Sequence, residues 1–317
     1  SAPESTAVRR YLKEFLSDPY VLTMPAAARW LLLQAVILPF RSLRSAKAYQ
    51  KVWTESGSPL MVYSKRFVEQ LKLSLGEDCQ VAFSMSYGEP SIRSGLESLQ
   101  HCEQIIVISM YPQYANATTQ SLVDKVEHEA TLLQVLSKLV WVRDFYNDPG
   151  FVSAYANQVR KTLAHTPSDF LLMSYHGLPV SHMPKSCQAQ ACCLLSQPCD
   201  QSQAMSQSCY RAQCYQTSRL IAAELGLQET EYQVTFQSRL GATRWIQPYT
   251  DSVLESLRHQ GVTNLAVVCP SFVVDCLETL EEIAIGLEEL WLALGGKRLT
   301  LVPCLNAEQE WVNAVSL

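Results

Sequence analysis

Residues 265–269 read Leu-Ala-Val-Val-Cys, a run with no polar residue in it. A strand with one wet face alternates apolar and polar residues. An unbroken run needs cover on both faces, which is the situation of a parallel strand held between helices. Comparable runs occur at Gln104–Met110, Leu139–Arg143 and Phe170–Ser174, with further β-like stretches at Gln80–Met85, Tyr232–Gln237 and Leu299–Pro303. Helical spacing separates them. Thr6–Asp18 places Val8, Tyr11, Leu12, Phe15 and Leu16 on one side, and Thr118–Leu139, Tyr215–Leu225, Thr250–His259 and Leu277–Leu294 follow the same pattern. This alternation predicts an α/β fold of two Rossmann-like, doubly wound domains with parallel sheets. A chain of 317 residues suits two domains of about 150 residues each. Its 48% apolar and 17% charged residues exclude a disordered chain.

A formal net charge of −5 without any long basic run argues against nucleic acid as a partner. No apolar run reaches the ~18 residues that would cross a bilayer. Ser1–Thr6 is polar, and Arg9 and Arg10 sit inside an amphipathic stretch, so a signal peptide is not expected and a cytoplasmic protein is. In a reducing compartment the eleven cysteines are expected to be thiols or metal ligands, not disulfides. Six of them, Cys187, Cys192, Cys193, Cys199, Cys209 and Cys214, are spaced C-x4-CC-x5-C-x9-C-x4-C. No C-x2-C pair occurs among them, so the zinc-ribbon signature is absent.

Sites in doubly wound sheets lie beyond the carboxyl ends of strands. After Phe170–Ser174 comes Tyr175-His176-Gly177-Leu178-Pro179, a histidine held on a rigid turn. The plainer reading is a histidine satisfied by hydrogen bonds at a domain seam. After Leu265–Cys269 comes Asp275-Cys276-Leu277-Glu278-Thr279-Leu280-Glu281-Glu282, where Glu278 and Glu282 share a helical face that Glu289 continues. Such carboxylates bind a cation, relay protons, or merely make a solvated acidic face. Phe236–Gly241 leads to Trp245, Pro248 and Tyr249, aromatics suited either to walling a flat ligand or to filling a core. Arg29–Phe40 is strongly apolar and reads as a core helix or as a segment lying on a membrane surface.

Several of these segments carry a resemblance. SYHGLP at 174–179, TFQSRLG at 235–241, QPYT at 247–250 and CP-x4-DCLETLEEIA at 269–284 resemble the ferrochelatase family. RRYLKEFLSDP, YQKVWTESGSPL and YPQY in the first half resemble its bacterial members. The resemblance implies a chelatase-like fold with a porphyrin cleft between the two domains. It implies an N-terminal domain over 1–115 and a C-terminal domain over 116–304 that carries a cysteine-rich insert at 185–214. Residues 305–317 would pack back on the first domain. The implied enzyme is a lyase that inserts Fe2+ into protoporphyrin IX, releasing two protons and forming protohaem, the last step of haem biosynthesis. His176 and Glu278 match the family's active-site residues, with roles in proton abstraction and in meeting the iron, and Glu282 matches a second acidic position behind them. Tyr87, Trp245, Tyr249 and Ser58 match positions that contact the porphyrin, and Arg29–Phe40 matches a hydrophobic lip able to touch a bilayer.

The resemblance implies no cofactor for catalysis. Some members carry a [2Fe–2S] cluster, for which Cys187, Cys192, Cys199 and Cys209 are the first candidates, with Cys193 able to replace Cys192. Redox-labile thiols, and zinc or disulfides, are the other readings of the insert. Two departures stand out: Ser86 occupies a position where members often have arginine, and the family's first strand with its Asn-Leu-Gly turn lies outside the numbered chain. DCLETLEEI and the SDPY segment resemble members acting on protoporphyrin more than those acting on coproporphyrin. The alternatives are a cobalt or nickel chelatase, which usually presents two histidines, an iron–sulfur or iron-sensing protein that has lost catalysis, and a periplasmic-type metal-binding protein. Intact His176 and Glu278 favour the enzyme.

Overall fold

The computed structural model describes residues 3–184, 209–241 and 243–316. They form two compact units. The first comprises residues 1–109 and 116–143, and the second residues 110–115 and 144–315.

In the first unit, helix α1 (Ser5–Ser17) buries Val8, Leu12 and Leu16, one residue per turn. They pack on Leu33, Leu38 and Ala46 from the segment containing α2 (Ala26–Leu32) and α3 (Leu38–Val52). Next come α4 (Pro59–Leu75), α5 (Ile92–Leu99), β1 (Ile105–Ile108), α6 (Ser121–Leu132) and β2 (Leu139–Val142). β1 and β2 pair in parallel, Ile105 opposite Leu139 and Ile108 opposite Val142. β2 completes the first unit's sheet, and residues 116–143 cluster with that unit. Residues 110–115 belong instead with the second unit, where the Gln113 side chain donates to Thr217 Oγ1 at 3.1 Å and the Tyr114 N–H to Gln213 Oε1 at 2.6 Å. Gln80–Met85, expected as a strand, forms no ladder among the described residues. Its alternating Val81, Phe83 and Met85 give a β pattern, but alternation describes a face and does not by itself supply a paired neighbour; the one sheet described in this unit is β1-β2.

The second unit holds α7 (Pro149–His165), β3 (Phe170–His176), α8 (Tyr210–Leu225), β4 (Tyr232–Gln237), α9 (Leu254–His259), β5 (Asn264–Val268), α10 (Leu277–Leu280), α11 (Glu288–Ala293), β6 (Arg298–Leu301) and α12 (Gln309–Ser316). Its sheet is parallel throughout, in the order β4-β3-β5-β6. Leu265, Ala266, Val267 and Val268 are each fully buried, as their unbroken apolar run requires. Under the sheet Trp291 packs with Ile283, Leu287, Leu299 and Leu254. Its indole N–H donates to the Arg298 carbonyl at 3.0 Å, so the one polar atom is paired. Burial this complete is worth on the order of 3–5 kcal/mol, the usual cost of truncating such a side chain.

Asp169, just before β3, ties the sheet's lower edge. Its Oδ2 accepts from the backbone N–H groups of Asn264 and Thr263 and from the Thr263 hydroxyl, each at 2.8 Å. These bonds hold its carboxyl at about 2.

One further expectation is corrected. The helix expected over 277–294 is interrupted by a π turn at Glu282–Leu287. The wider turn breaks the register of the acidic face, and Glu289 is exposed to solvent instead of extending it. Helix α12 clusters with the second unit, where the Trp311 ring lies near those of Phe145 and Phe151, with centroids 5.5 and 5.9 Å apart. Its buried Trp311 and Val312 supply the apolar face that decides this placement.

Candidate active site

The strand order places a topological switch in the second sheet. From β3 the chain crosses to β4 on one side, whereas β5 lies on the other side of β3 and leads outward to β6. Loops leaving β3 and β5 therefore diverge, opening a crevice at their carboxyl ends. His176 is the last residue of β3, and Glu278 follows β5 in the first turn of α10.

His176 is fixed from several directions. Its backbone N–H donates to Ser271 Oγ at 3.0 Å, in the loop after β5, and its carbonyl accepts from Tyr210 OH at 2.8 Å. Nδ1 lies 2.6 Å from the Gly177 carbonyl oxygen. A carbonyl only accepts, so Nδ1 carries hydrogen and in the neutral ring Nε2 keeps its lone pair. Gly177 is needed where it stands. A Cβ there would lie 2.7 Å from the Gln237 carbonyl oxygen and 3.3 Å from Trp245 Cε3, and the Gly177 N–H donates to that same carbonyl at 2.8 Å.

Trp245 lies beside the histidine turn through an antiparallel bridge to Pro179. Its indole N–H donates to the Leu240 carbonyl at 2.9 Å. Tyr249 hydrogen-bonds the Trp245 carbonyl at 3.4 Å, and Arg239 lies 4.3 Å over its ring. Arg239 is also paired with Asp251 at 2.7 Å. The structure thus brings Trp245 and Tyr249 to the end of β4, next to the His176 turn.

The carboxylates form the third side. Glu282 Oε1 accepts from the Ser238 N–H at 2.6 Å and Oε2 from the Ser238 hydroxyl at 2.5 Å. Burial raises the Glu282 carboxyl above its usual range against the pull of the two Ser238 bonds; His176 lowers it and Glu278 raises it further. Gln237 locks the framework. Its Nε2 donates to the Glu278 carbonyl at 2.8 Å and its Oε1 accepts from Ser174 Oγ at 2.7 Å, joining β3, β4 and α10.

Behind Glu278, the buried Asp275 accepts from Thr279 Oγ1 at 2.9 Å, Asn306 Nδ2 at 2.7 Å and the Cys304 N–H at 3.3 Å. The Cys276 thiol is pushed up by burial and then by the neighbouring Glu278 charge, which keeps it protonated. Sequence reading missed Gln237, Ser238, Asp275 and Cys276. Their signal was adjacency to the recognised segments QSRLG and DCLETLEE.

The remaining expected residues lie in the first unit. Tyr87 donates its hydroxyl to Asp18 Oδ2 at 2.9 Å, and Lys125 Nζ sits 3.5 Å over its ring and 3.0 Å from the same carboxylate oxygen. Asp18 also accepts from Ser121 Oγ at 2.5 Å and the Tyr20 N–H at 2.8 Å. Burial opposes its ionisation, but the Ser121, Tyr20, Lys125 and Tyr87 bonds outweigh that and hold its carboxyl below the usual range. Ser58 caps α4, accepting from the Met61 N–H at 3.3 Å. Of the four first cluster candidates, Cys187, Cys192 and Cys199 lie outside the described residues, as does Cys193. Cys209 is buried at the N-terminus of α8. Among the described residues no group of three or more metal-ligating side chains is arranged to hold an ion.

The parallel α/β architecture, with its histidine and carboxylates beyond the strand ends, is a chelatase-like fold shared by known structures. The sirohydrochlorin chelatase SirB from Bacillus subtilis subspecies spizizenii, in complex with cobalt, aligns over 83% of this chain and 88% of its own with a TM-score of 0.54 at 12% identity. SirB from Bacillus subtilis with Fe3+ aligns over 80% and 86% with a TM-score of 0.53 at 13% identity. Identities this low speak for the fold alone.

The sequence comparisons are more specific. A family model described as Ferrochelatase matches residues 1–316. A ferrochelatase from Coxiella burnetii (strain CbuK_Q154) is 45% identical over 316 residues, 99% of this chain and 88% of the relative. One from Legionella pneumophila (strain Philadelphia 1) is 43% identical over 310 residues, 98% of this chain and 92% of the relative. The chain belongs to the ferrochelatase family.

Proposed function

We propose that this protein inserts Fe2+ into protoporphyrin IX, forming protohaem. The observation that carries this reading is the tethered His176 at the end of β3, with Nδ1 committed to the Gly177 carbonyl, and the carboxylates that follow β5, tied by Gln237 to the Glu278 carbonyl and by Ser238 to Glu282.

A free-base porphyrin carries two pyrrole N–H protons. Fe2+ enters as a dication, the metallated ring leaves neutral, and two protons must be taken up. In the neutral ring His176 Nε2 offers a lone pair to one N–H. Glu278, an oxygen donor in the first turn of α10, meets the incoming iron or accepts the second proton. Glu282 takes protons outward from these two, its elevated carboxyl suiting a group that must both accept and release. Trp245 and Tyr249 supply flat apolar surface beside the histidine, and Tyr87 and Ser58 are assigned porphyrin contacts by family position. For Tyr87 the contact is through its ring, since the hydroxyl is engaged by Asp18. The test is anaerobic steady-state insertion of Fe2+ into protoporphyrin and into coproporphyrin. Preference for protoporphyrin is expected; preference for coproporphyrin would change the assigned substrate and leave the chemistry intact.

The same reading gives segment 29–40 a place. Trp30, Leu31 and Val36 are 63, 61 and 52% exposed, an apolar surface suited to lying in a bilayer interface where a poorly soluble porphyrin resides. No single helix among the described residues is long and apolar enough to cross a membrane. The location proposed on this reading is the cytoplasm, peripheral on the inner face of the membrane, supported by the exposed apolar surface of 29–40. Co-sedimentation with liposomes is expected for the wild type and should fall several-fold for Trp30→Ser/Leu31→Ser; equal sedimentation of both would remove the assignment.

For the cysteine-rich segment the proposal is a [2Fe–2S] cluster on Cys187, Cys192, Cys199 and Cys209, supported by the clustering of six cysteines between 187 and 214. Its role would be stabilising or sensing, since metal insertion moves no electron. Anaerobically purified protein is expected to contain iron and acid-labile sulfide. Protein lacking both would leave the thiols as simple side chains.

A further inference from the structure

We propose that Ser238 is the positioning residue of Glu282, and that its left-handed backbone exists to serve that carboxylate. The proposal rests on the relay role given to Glu282 above.

Three observations lead to it. Ser238 has φ +65°, one of only three non-glycine residues with positive φ among the described residues. A residue with a Cβ avoids that region unless its surroundings hold it there, and such residues gather at functional sites. Second, both donors of Ser238 go to one group: the N–H to Glu282 Oε1 at 2.6 Å and the hydroxyl to Oε2 at 2.5 Å. Along an extended strand the backbone N–H lies in the plane of the sheet and the side chain stands out of it. The left-handed turn brings the two to the same side, so that each carboxylate oxygen is gripped and its remaining lone pairs stay open to a proton.

The third observation comes from Asn306, with φ +48°. Its Nδ2 donates to Asp275 Oδ2 at 2.7 Å and its Oδ1 accepts from the Asp275 N–H at 2.9 Å. Both positive-φ non-glycine residues of the second unit thus end on a carboxylate of segment 275–282, one at each end. Glu278 lies between the two fixed points. Glu282 itself opens the π turn, where the helical ladder is wider and its own backbone restrains it less.

A carboxylate held this way hands protons on in one geometry, and loss of the grip should slow turnover without weakening substrate binding. The experiment compares Ser238→Ala, Ser238→Gly, Glu282→Gln and the double variant Ser238→Ala/Glu282→Gln in anaerobic Fe2+ insertion. Glu282→Gln is expected to be impaired. Ser238→Ala should lower kcat about tenfold with KM for porphyrin and for Fe2+ within about twofold of wild type. Ser238→Gly, which accepts positive φ without strain, should fold normally and lose kcat similarly, since it too lacks the hydroxyl. The double variant should be no slower than Glu282→Gln alone, because a residue acting through another loses nothing once that other is gone. Multiplying losses in the double variant, or a raised porphyrin KM at unchanged kcat, would overturn the proposal. Full activity of Glu282→Gln would instead overturn the relay role on which it rests.

Discussion

Replacing His176 with alanine is expected to lower kcat by about 10²- to 10⁴-fold while the protein stays folded. The side chain is half-buried at a strand mouth, and its backbone bonds to Ser271 and Tyr210 do not depend on the imidazole. What is lost is a lone pair aimed by the Nδ1 contact with Gly177. Glu278 and Glu282 remain but offer oxygen in place of an imidazole nitrogen, and Glu282 already spends one hydrogen bond at each oxygen on Ser238. KM for porphyrin should change little, since the wall formed by Trp245 and Tyr249 is untouched. A His176→Ala variant with near wild-type kcat would remove the histidine from the mechanism.

Asp275→Ala should cost about 2–6 kcal/mol of stability, about 1–3 kcal/mol for each of the two donors it leaves unpaired. Its removal leaves Asn306 Nδ2 and the Cys304 N–H facing an apolar methyl group, in a site where Asp275 is only 4% exposed. Thr279 keeps a weaker alternative at the Cys276 carbonyl, 3.3 Å away. In a unit of this size the loss corresponds to a melting midpoint lower by about 10 °C. Activity should fall as well, because α10, which carries Glu278, is anchored through Asp275 and Thr279. Thermal unfolding of Asp275→Ala, with Asp275→Asn as the isosteric comparison, provides the measurement. A midpoint within about 2 °C of wild type would contradict the anchoring role.

How far the sequence revealed this arrangement depended on what each element needs. β3 and β5 were legible from their near-continuous apolar runs, and β4 and β6 from alternation, with Val234 and Phe236 in β4 and Leu299 and Leu301 in β6. Gln80–Met85 was over-read because alternation describes a face, not a partner. The π turn at Glu282–Leu287 was hidden, since one wide turn leaves no mark in an apolar period that Ile283 and Leu287 satisfy equally well in an α-helix. The His176 and Glu278 positions could be found from the rule that sites follow strands, and the resemblance gave them roles. Ser238 could not be found, because Ser-Arg-Leu-Gly announces a turn without saying which residue turns left-handed. Tyr87 was placed by family position, yet its hydroxyl partner Asp18 and covering Lys125 come from 69 positions before and 38 after it (18, 87 and 125), a coincidence only the folded chain displays.

The proposed metallation of a porphyrin runs through a histidine and two carboxylates at the β3–β5 switch point. It is tested most directly by mixing wild-type protein, loaded with protoporphyrin, with Fe2+ under anaerobic conditions in a single turnover. First-order loss of porphyrin fluorescence, matched by haem absorbance and by release of two protons per ring into weakly buffered dye solution, is the predicted result. A folded protein that binds the porphyrin yet metallates it no faster than the protein-free solution would contradict it.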